Sequence, residues 1–188
     1  MEARDGGSDE ALSALFQAAL ERALEHGTID DVVVATSRAQ AEALWQLRDN
    51  VSEAQQRDGA TIKYDISVPV SSVPAFVAEA MPLLRAAYPG IRPFVFGHLG
   101  DGNLHFNMSR PEGWDNAAWE AETDAVNLIV HDTVARHAGS ISAEHGIGQL
   151  KRHEVALYKS ALETDVMQRV KRALDPQGLM NPGKLLPD

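Results

Sequence analysis

An Asp-Gly pair at positions 101 and 102 separates two runs of strand-forming residues, and it constrains the fold more than any other feature of the chain. Asp-Gly favours a two-residue hairpin loop, because both residues tolerate the positive φ angles that such a turn requires. The flanking runs are residues 92–99 and 103–109. The sequence therefore predicts an antiparallel hairpin near the middle of the chain.

A two-residue loop also determines which residues of the hairpin face each other. The pairs that follow from it are Gly100 with Asn103, Leu99 with Leu104 and His98 with His105. Opposed residues on one face have Cβ atoms about 4.5–5.5 Å apart, so the two imidazoles could share a metal ion, and Asn107 projects from the same face. A slip of one residue would separate the rings, and two half-exposed strand histidines without a metal are the alternative.

A second polar group lies at 140–148, where Glu144 and His145 are adjacent in a glycine-rich turn. A carboxylate and an imidazole at one point supply a hard metal ligand and a titratable base. With His98 and His105, Glu144 would complete a set of two histidines and one carboxylate, which leaves coordination positions for substrate and suits zinc, manganese or iron. The alternative is a polar loop before a helix.

Two cations and a hydroxyl form a third candidate group. Arg48 and Ser52 are four residues apart in a predicted helix and so share a face, while Lys63 lies on the polar, odd-numbered side of the next predicted strand. The three could converge on a carboxylate. The alternative is a set of solvated surface charges, because Arg and Lys side chains are usually exposed.

The remaining sequence alternates helical and extended patterns. Helices are predicted over residues 8–27, 37–57, 73–88, 117–138, 151–160 and 164–174, and strands over 32–35 and 62–68 besides the hairpin. This order begins β-α-β and predicts an α+β fold. A chain of 188 residues suffices for one or at most two domains with a real core. We expect a flexible leader or artificial start over 1–9 and one domain over 10–188.

Composition excludes several classes of protein. Seventeen basic and twenty-seven acidic residues give a net charge of -10, which disfavours nucleic-acid partners. The absence of cysteine excludes disulfides, thiol catalysis and iron–sulfur clusters. Neither a His-Glu-x-x-His motif nor a phosphate-binding loop occurs. With no apolar run near the ~20 residues of a membrane helix, we expect a cytoplasmic location, with peripheral attachment to the inner membrane left open.

Three motifs in this order resemble the C-terminal substrate domain of FAD-linked oxidases. They are Gly-His-Leu-Gly-Asp-Gly-Asn-Leu-His at 97–105, Ser-Ala-Glu-His-Gly-Ile-Gly at 142–148 and Leu-Met-Asn-Pro-Gly-Lys at 179–184. The family includes D-lactate dehydrogenases, the glycolate oxidase flavin subunit and D-2-hydroxyglutarate dehydrogenases. Residues 47–65 look most like the last branch, with Ser52 where that branch tends to carry threonine. The resemblance implies a ferredoxin-like antiparallel sheet with helices packed on one face.

The resemblance also implies a role for each candidate around the hairpin. His98, His105 and Glu144 would bind a divalent metal, with zinc expected and manganese or iron as alternatives. The metal would chelate the 2-hydroxyl and C1 carboxylate of the substrate. His145 would be the catalytic general base, and Asn107 would help to fix the proximal end of the substrate.

Further roles follow from the resemblance for residues outside the hairpin. Arg48, Ser52 and Lys63 would hold the distal carboxylate of a dicarboxylic substrate, and Asn181 would approach the flavin. The flavin-binding domain of this family precedes the substrate domain, and no segment before Ala35 would supply it. We therefore expect the chain by itself to hold FAD weakly and to be inactive.

The implied function is substrate and metal binding in an FAD-dependent D-2-hydroxy acid dehydrogenase, which oxidises the 2-hydroxyl to a 2-oxo acid. D-2-hydroxyglutarate or D-malate is preferred over D-lactate as substrate. The expected partners are the 2-hydroxy acid and an N-terminal FAD-binding domain, while the electron acceptor and a homodimer are left open. The alternative is a non-catalytic, ferredoxin-like module that binds a metal or a small molecule.

Overall fold

The structure is a computed structural model of the chain and describes residues 6–57, 59–98 and 100–186. It divides into two compact units, Met1–Val51 and Ser52–Asp188. Each unit is described by itself below. The candidate residues at the hairpin and in the 140–148 segment all belong to the second unit.

The first unit contains two capped helices, α1 (Asp9–Glu25) and α2 (Arg38–Asp49). Ser8 accepts a hydrogen bond from the first turn of α1, and Ser37 does the same for α2, as is typical of N-cap residues. The predicted strand at 32–35 is wrong: the segment is irregular, and the side chain of Val33 is 74% exposed. A short apolar run forms a strand only where another strand pairs with it, and none in the described residues does.

The second unit follows helix α3 (Val51–Arg57), which spans the boundary. Its elements are β1 (Thr61–Ile62), β2 (Asp65–Ser67), a 3-10 turn (Val70–Ser72), α4 (Val73–Ala87), β3 (Arg92–His98), β4 (Asn103–Ser109), α5 (Asn116–Ala121), α6 (Thr123–Arg136), α7 (Arg152–Tyr158) and α8 (Ala161–Leu174). None of the helices in the described ranges is long and apolar enough to cross a membrane.

Two of the predicted helices are each interrupted once. The helix predicted over 37–57 breaks between α2 and α3 at Asn50, and the one predicted over 117–138 breaks between α5 and α6 at Glu122. The second break coincides with a tertiary contact, because the Glu122 carboxylate accepts a hydrogen bond from the Tyr88 hydroxyl at 2.8 Å. Helical periodicity cannot reveal such a break, since apolar residues continue on both sides of it.

Strand β4 lies at the centre of an antiparallel sheet. Strands β1 and β2 pair in succession with one edge of β4, where Ile62 faces Met108 and Asp65 faces His105. Strand β3 pairs with the other edge. The prediction of an α+β fold with an antiparallel sheet is therefore confirmed.

Side chains of β4 alternate between an apolar core and a polar face of the sheet. Leu104, Phe106 and Met108 are buried in the core with residues of α4 and α6. Phe76 of α4 contacts Phe106 edge to face, with ring centroids 5.1 Å apart. The alternate positions are Asn103, His105 and Asn107, which lie on the opposite face because side chains alternate along a strand. We call this opposite face the site face.

Candidate metal and substrate site

The hairpin brings His98 and His105 together in a register that differs from the predicted one. His98 faces Asn103, and His105 faces Phe96, whereas the sequence predicted a direct His98–His105 pair. The shift is two positions along β3, so His98 stays on the site face and becomes the diagonal neighbour of His105. Their ring centroids are 6.4 Å apart. Leu99, which was expected to pair with Leu104, lies outside the described residues.

The register differs from the predicted one because the turn is bonded to another part of the chain. The carbonyl of Gly102 accepts a hydrogen bond from the backbone N–H of Val68 at 3.1 Å. The Asp101 carboxylate accepts from the Asn103 N–H at 3.0 Å, which closes a loop longer than two residues. Asp-Gly therefore marks the turn correctly, but contacts of the turn with the segment after β2 set its length.

Glu144 lies against both histidines. Its Oε1 is 3.4 Å from Nε2 of His98, and its Oε2 is 3.9 Å from Nε2 of His105. One ligand atom from each of the three side chains lies within 4.8 Å of the others. The structure thus brings together the three residues predicted as metal ligands, which we call the triad.

Asp65 holds the loop that carries Glu144. Its Oδ2 accepts hydrogen bonds from the backbone N–H groups of Glu144 and His145, both at 2.7 Å, and its own carbonyl accepts from Ala143 at 3.0 Å. Burial by itself raises the pKa of Asp65, but the hydrogen bonds from His145 and Glu144 outweigh it, and the pKa lies below its usual range. Asp65 is therefore held as a carboxylate.

His145 stands beside His105 at the open side of the site. The two rings are nearly parallel, with centroids 5.8 Å apart. Nδ1 of His145 is 3.8 Å from Oδ2 of Asp65, and most of the His145 side chain is exposed. Asp65, His105 and His145 also form a second group whose ligand atoms lie within 4.8 Å of one another.

The triad fits a divalent metal by its donor atoms and by the charge around them. Two imidazole nitrogens and a carboxylate are the ligand set of open zinc, manganese and iron sites. Beside His105, Oδ1 of Asp65 is buried and has no hydrogen-bond partner among the described residues. A buried carboxylate oxygen without a partner is costly, and a cation nearby would offset that cost. The residues present therefore match such an ion, and they do not distinguish among the three metals.

The amide of Asn107 is engaged inside the protein. Its Oδ1 accepts from the Tyr64 backbone N–H at 2.9 Å, and its Nδ2 donates to Oε1 of Gln55 at 3.0 Å. A backbone N–H can only donate, so this chain of bonds orients both amides and leaves Nε2 of Gln55 as a buried donor, unpartnered among the described residues. These contacts brace α3 against the sheet, and the expected contact of Asn107 with substrate stays a prediction.

The other predicted site residues lie at separate places in the chain. Arg48 is in the last turn of α2, in the first unit. In the second unit, Ser52 lies in α3 and the exposed Lys63 lies between β1 and β2, with no described contact between the two side chains. Asn181 occupies the C-terminal turn with φ at 46°. The structure therefore assembles the histidine–carboxylate cluster within the second unit, and the binding of a carboxylate by Arg48, Ser52 and Lys63 stays a prediction.

Asp65 and Gln55 are the residues that sequence reasoning missed. Asp65 lies two positions after Lys63 and so shares its face of the strand, and this spacing could have identified it. No such signal exists for Gln55, because its importance comes from a contact with a residue 52 positions away.

Comparison with known proteins identifies relatives of this chain. The profile of the family described as FAD linked oxidases, C-terminal domain, matches residues 3–185. The D-2-hydroxyglutarate dehydrogenase of Xanthomonas citri pv. viticola is 44% identical over 177 residues, which are 94% of this chain and 37% of that relative. That of Stutzerimonas stutzeri is 40% identical over 89% of this chain and 36% of its own length. The mitochondrial D-2-hydroxyglutarate dehydrogenase of Arabidopsis thaliana is 38% identical over 96% of this chain and 31% of its own length.

The chain thus spans about a third of the length of these relatives. Their names also contradict the cytoplasmic location predicted from the sequence, since the relatives from Arabidopsis thaliana, Danio rerio and Bos taurus are named mitochondrial. The physical reason is that the charge and hydropathy of a folded domain do not encode the compartment in which it works.

Proposed function

Because the chain belongs to the family of FAD linked oxidases, as their C-terminal domain, we propose that it binds the substrate and a divalent metal in an FAD-dependent D-2-hydroxy acid dehydrogenase. The favoured substrate is D-2-hydroxyglutarate, since the relatives named above are D-2-hydroxyglutarate dehydrogenases. D-malate and D-lactate are the smaller alternatives. The reaction would oxidise the 2-hydroxyl of the substrate to a 2-oxo group.

His98, His105 and Glu144 would hold the metal, and His145 would act as the general base. When bound, the metal supplies Lewis-acid polarisation of the substrate 2-hydroxyl and C1 carboxylate, and FAD supplies the acceptor for the hydride that leaves C2. Since Nδ1 of His145 lies towards Asp65, Nε2 is the nitrogen that would take the hydroxyl proton. Loss of that proton and of the hydride gives the 2-oxo acid.

The distal carboxylate of the substrate would be bound by Arg48, Ser52 and Lys63. A guanidinium, a hydroxyl and an ammonium together satisfy a carboxylate well, because hydrogen bonds between charged partners are the stronger kind. For Asn107 we propose a supporting role, in which its two hydrogen bonds keep α3 and the sheet together beside His105. Asn181 is proposed to approach the flavin from the C-terminal turn.

The observation that carries this proposal is the approach of Glu144 to two histidines from another part of the chain. His98 and His105 come from one hairpin, but Glu144 lies 39 positions after His105 in the sequence. A carboxylate without a metal to bind would gain little from two imidazoles at 3.4 and 3.9 Å, which are longer than hydrogen bonds. A shared metal ion would account for all three positions.

Metal binding by the 188-residue chain tests this proposal. Titration calorimetry with Zn²⁺ or Mn²⁺ at neutral pH should give one site, and the double variant His98→Ala/His105→Ala should lose it. The matched control is His26→Ala/His153→Ala, which removes two histidines from outside the triad and should bind as the wild type does.

Two results would count against the proposal. Equal, weak binding by the wild type and by the triad variant would show that these residues form no metal site. Tight metal binding without any effect of D-2-hydroxyglutarate, D-malate or D-lactate on it would instead favour a binding module that is not part of an enzyme.

A further inference from the structure

The loop over residues 143–145 carries Glu144 and His145 but lies outside regular secondary structure. In the described part of the chain, its three backbone N–H groups all donate to one residue, Asp65. Oδ2 accepts hydrogen bonds from the N–H groups of Glu144 and His145, and the Asp65 carbonyl accepts one from the N–H of Ala143. The segment is joined to β2 at Ser140, which pairs with Ser67, and Asp65 then fixes the three residues that carry Glu144 and His145.

Asp65 is well placed to set the position of the site. It faces His105 across the β2–β4 pairing, so the bonds that it accepts attach the loop directly beside the central histidine. Hydrogen bonds to an ionised acceptor are stronger than those to a neutral one, so two of them on one carboxylate oxygen help to order a short loop.

We propose that Asp65 is the positioning residue of the site, which holds Glu144 and His145 over His105 by binding their backbone N–H groups. This inference rests on the proposed function, because positioning matters only if the triad binds a metal. Asp65 itself need not contact the metal or the substrate. Groups that orient metal ligands in this way typically change metal affinity by 10- to 100-fold when they are removed.

Co²⁺ binding by the 188-residue chain tests the proposal, because absorption by the metal reports both affinity and ligand geometry. Asp65→Asn keeps an oxygen that can accept the two N–H groups but loses the charge, so we expect about a tenfold loss of affinity. Asp65→Ala removes the acceptor, and we expect about a 100-fold loss and an altered spectrum. This graded order separates positioning from a general loss of stability.

Asp175→Asn is the matched control. Asp175 is also a buried aspartate that accepts two backbone N–H groups, those of Leu179 and Met180, but its loop carries no member of the triad. Its variant should bind Co²⁺ within twofold of the wild type. Affinity of Asp65→Ala within twofold of the wild type would overturn the proposal.

Amide hydrogen exchange tests the positioning role of Asp65 separately from metal binding by the triad. It can be measured on the wild type even if the Asp65→Ala variant does not fold. In the metal-free wild type, the N–H groups of Glu144 and His145 should exchange slowly, and Asp65→Asn should accelerate both. Exchange at the rate of unstructured amides in the wild type would overturn the role of Asp65. If the wild type bound no Co²⁺, the proposed function would fail. Slow exchange of the two N–H groups, accelerated in Asp65→Asn, would in that case still show that Asp65 holds the loop.

Discussion

Lys63 is one of the two cations that we propose to bind the distal carboxylate of the substrate. It lies between β1 and β2, in the two residues that separate the pairs Ile62–Met108 and Asp65–His105. It is exposed, unlike Asp65 two positions further on. A long cationic side chain in this position can reach the distal carboxylate of a substrate whose other end is bound beside His105.

Removing either proposed carboxylate-binding cation should change selectivity rather than activity alone. We expect Arg48→Ala or Lys63→Ala to lower kcat/KM for D-2-hydroxyglutarate by about 10- to 150-fold, because a charge-assisted hydrogen bond contributes about 1.5–3 kcal/mol. D-lactate has no distal carboxylate, so its kcat/KM should fall by less than about threefold. The assay uses a chimaera in which this chain replaces the matching region of the Xanthomonas relative.

Arg57→Ala is the control for this experiment. Arg57 is an exposed arginine that pairs with Glu53 within α3, so its loss should leave the ratio of the two substrates unchanged. Equal losses on D-2-hydroxyglutarate and D-lactate in the Arg48 or Lys63 variant would reject the carboxylate-binding role.

At the scale of the element, the β3–β4 hairpin depends on a glycine in its turn. Gly102 has φ at 75°, and a Cβ added there would lie 2.0 Å from the carbonyl oxygen of Val68. That carbonyl belongs to the backbone, so relief requires the chain itself to move. At Gly100, two positions earlier, an added Cβ would meet no atom of the described residues within 4 Å.

We expect Gly102→Ala to lower the free energy of unfolding by at least about 2 kcal/mol, since it adds a left-handed φ penalty to a backbone clash. Gly100→Ala should change it by no more than about 0.5 kcal/mol. Urea denaturation measures both. Similar stability of the two variants would show that the contact between the turn and Val68 is not important.

At the scale of the whole molecule, helices α6 and α7 are joined by a buried polar cluster. Glu154 of α7 contacts Nδ1 of His131 and accepts a hydrogen bond from Nδ2 of Asn127 at 2.9 Å. Burial by itself raises the pKa of Glu154, but the hydrogen bond from His131 and nearby positive charge outweigh it and lower the pKa. The native state therefore favours the ionised carboxylate.

This cluster predicts a loss of stability in acid. A carboxyl whose pKa is lowered in the native state stabilises that state at pH values above 4.5, its ordinary pKa. This contribution disappears as the pH falls through the native pKa. Glu154→Gln should cost about 1–3 kcal/mol at pH 7 and should flatten the fall in unfolding free energy below pH 4.5. Denaturation at a series of pH values measures this.

Glu120→Gln, an exposed change in α5, should keep the acid-dependent fall of the wild type. A Glu154→Gln variant whose unfolding free energy falls as steeply as that of the wild type between pH 5 and pH 3 would contradict the assignment.

Much of the fold and part of the site could be predicted from the sequence. The bounds of α4, β3 and β4 were predicted within a residue or two, because turn residues and strand alternation mark them locally. The three motifs also identified the family correctly. The strand at 32–35 and the uninterrupted long helices were wrong, since pairing partners and tertiary contacts decide those features.

The sequence by itself determined that His98 and His105 share a face of one hairpin, because strand periodicity is a property of neighbouring residues. Only the tertiary structure decided that the two histidines are diagonal neighbours and not a direct pair, since the turn between their strands is bonded to Val68. The place of Glu144 and His145 was likewise decided by hydrogen bonds to Asp65, a residue 79 and 80 positions earlier in the chain. Local patterns cannot specify bonds over such separations, because these form only when the folded chain brings the partners together.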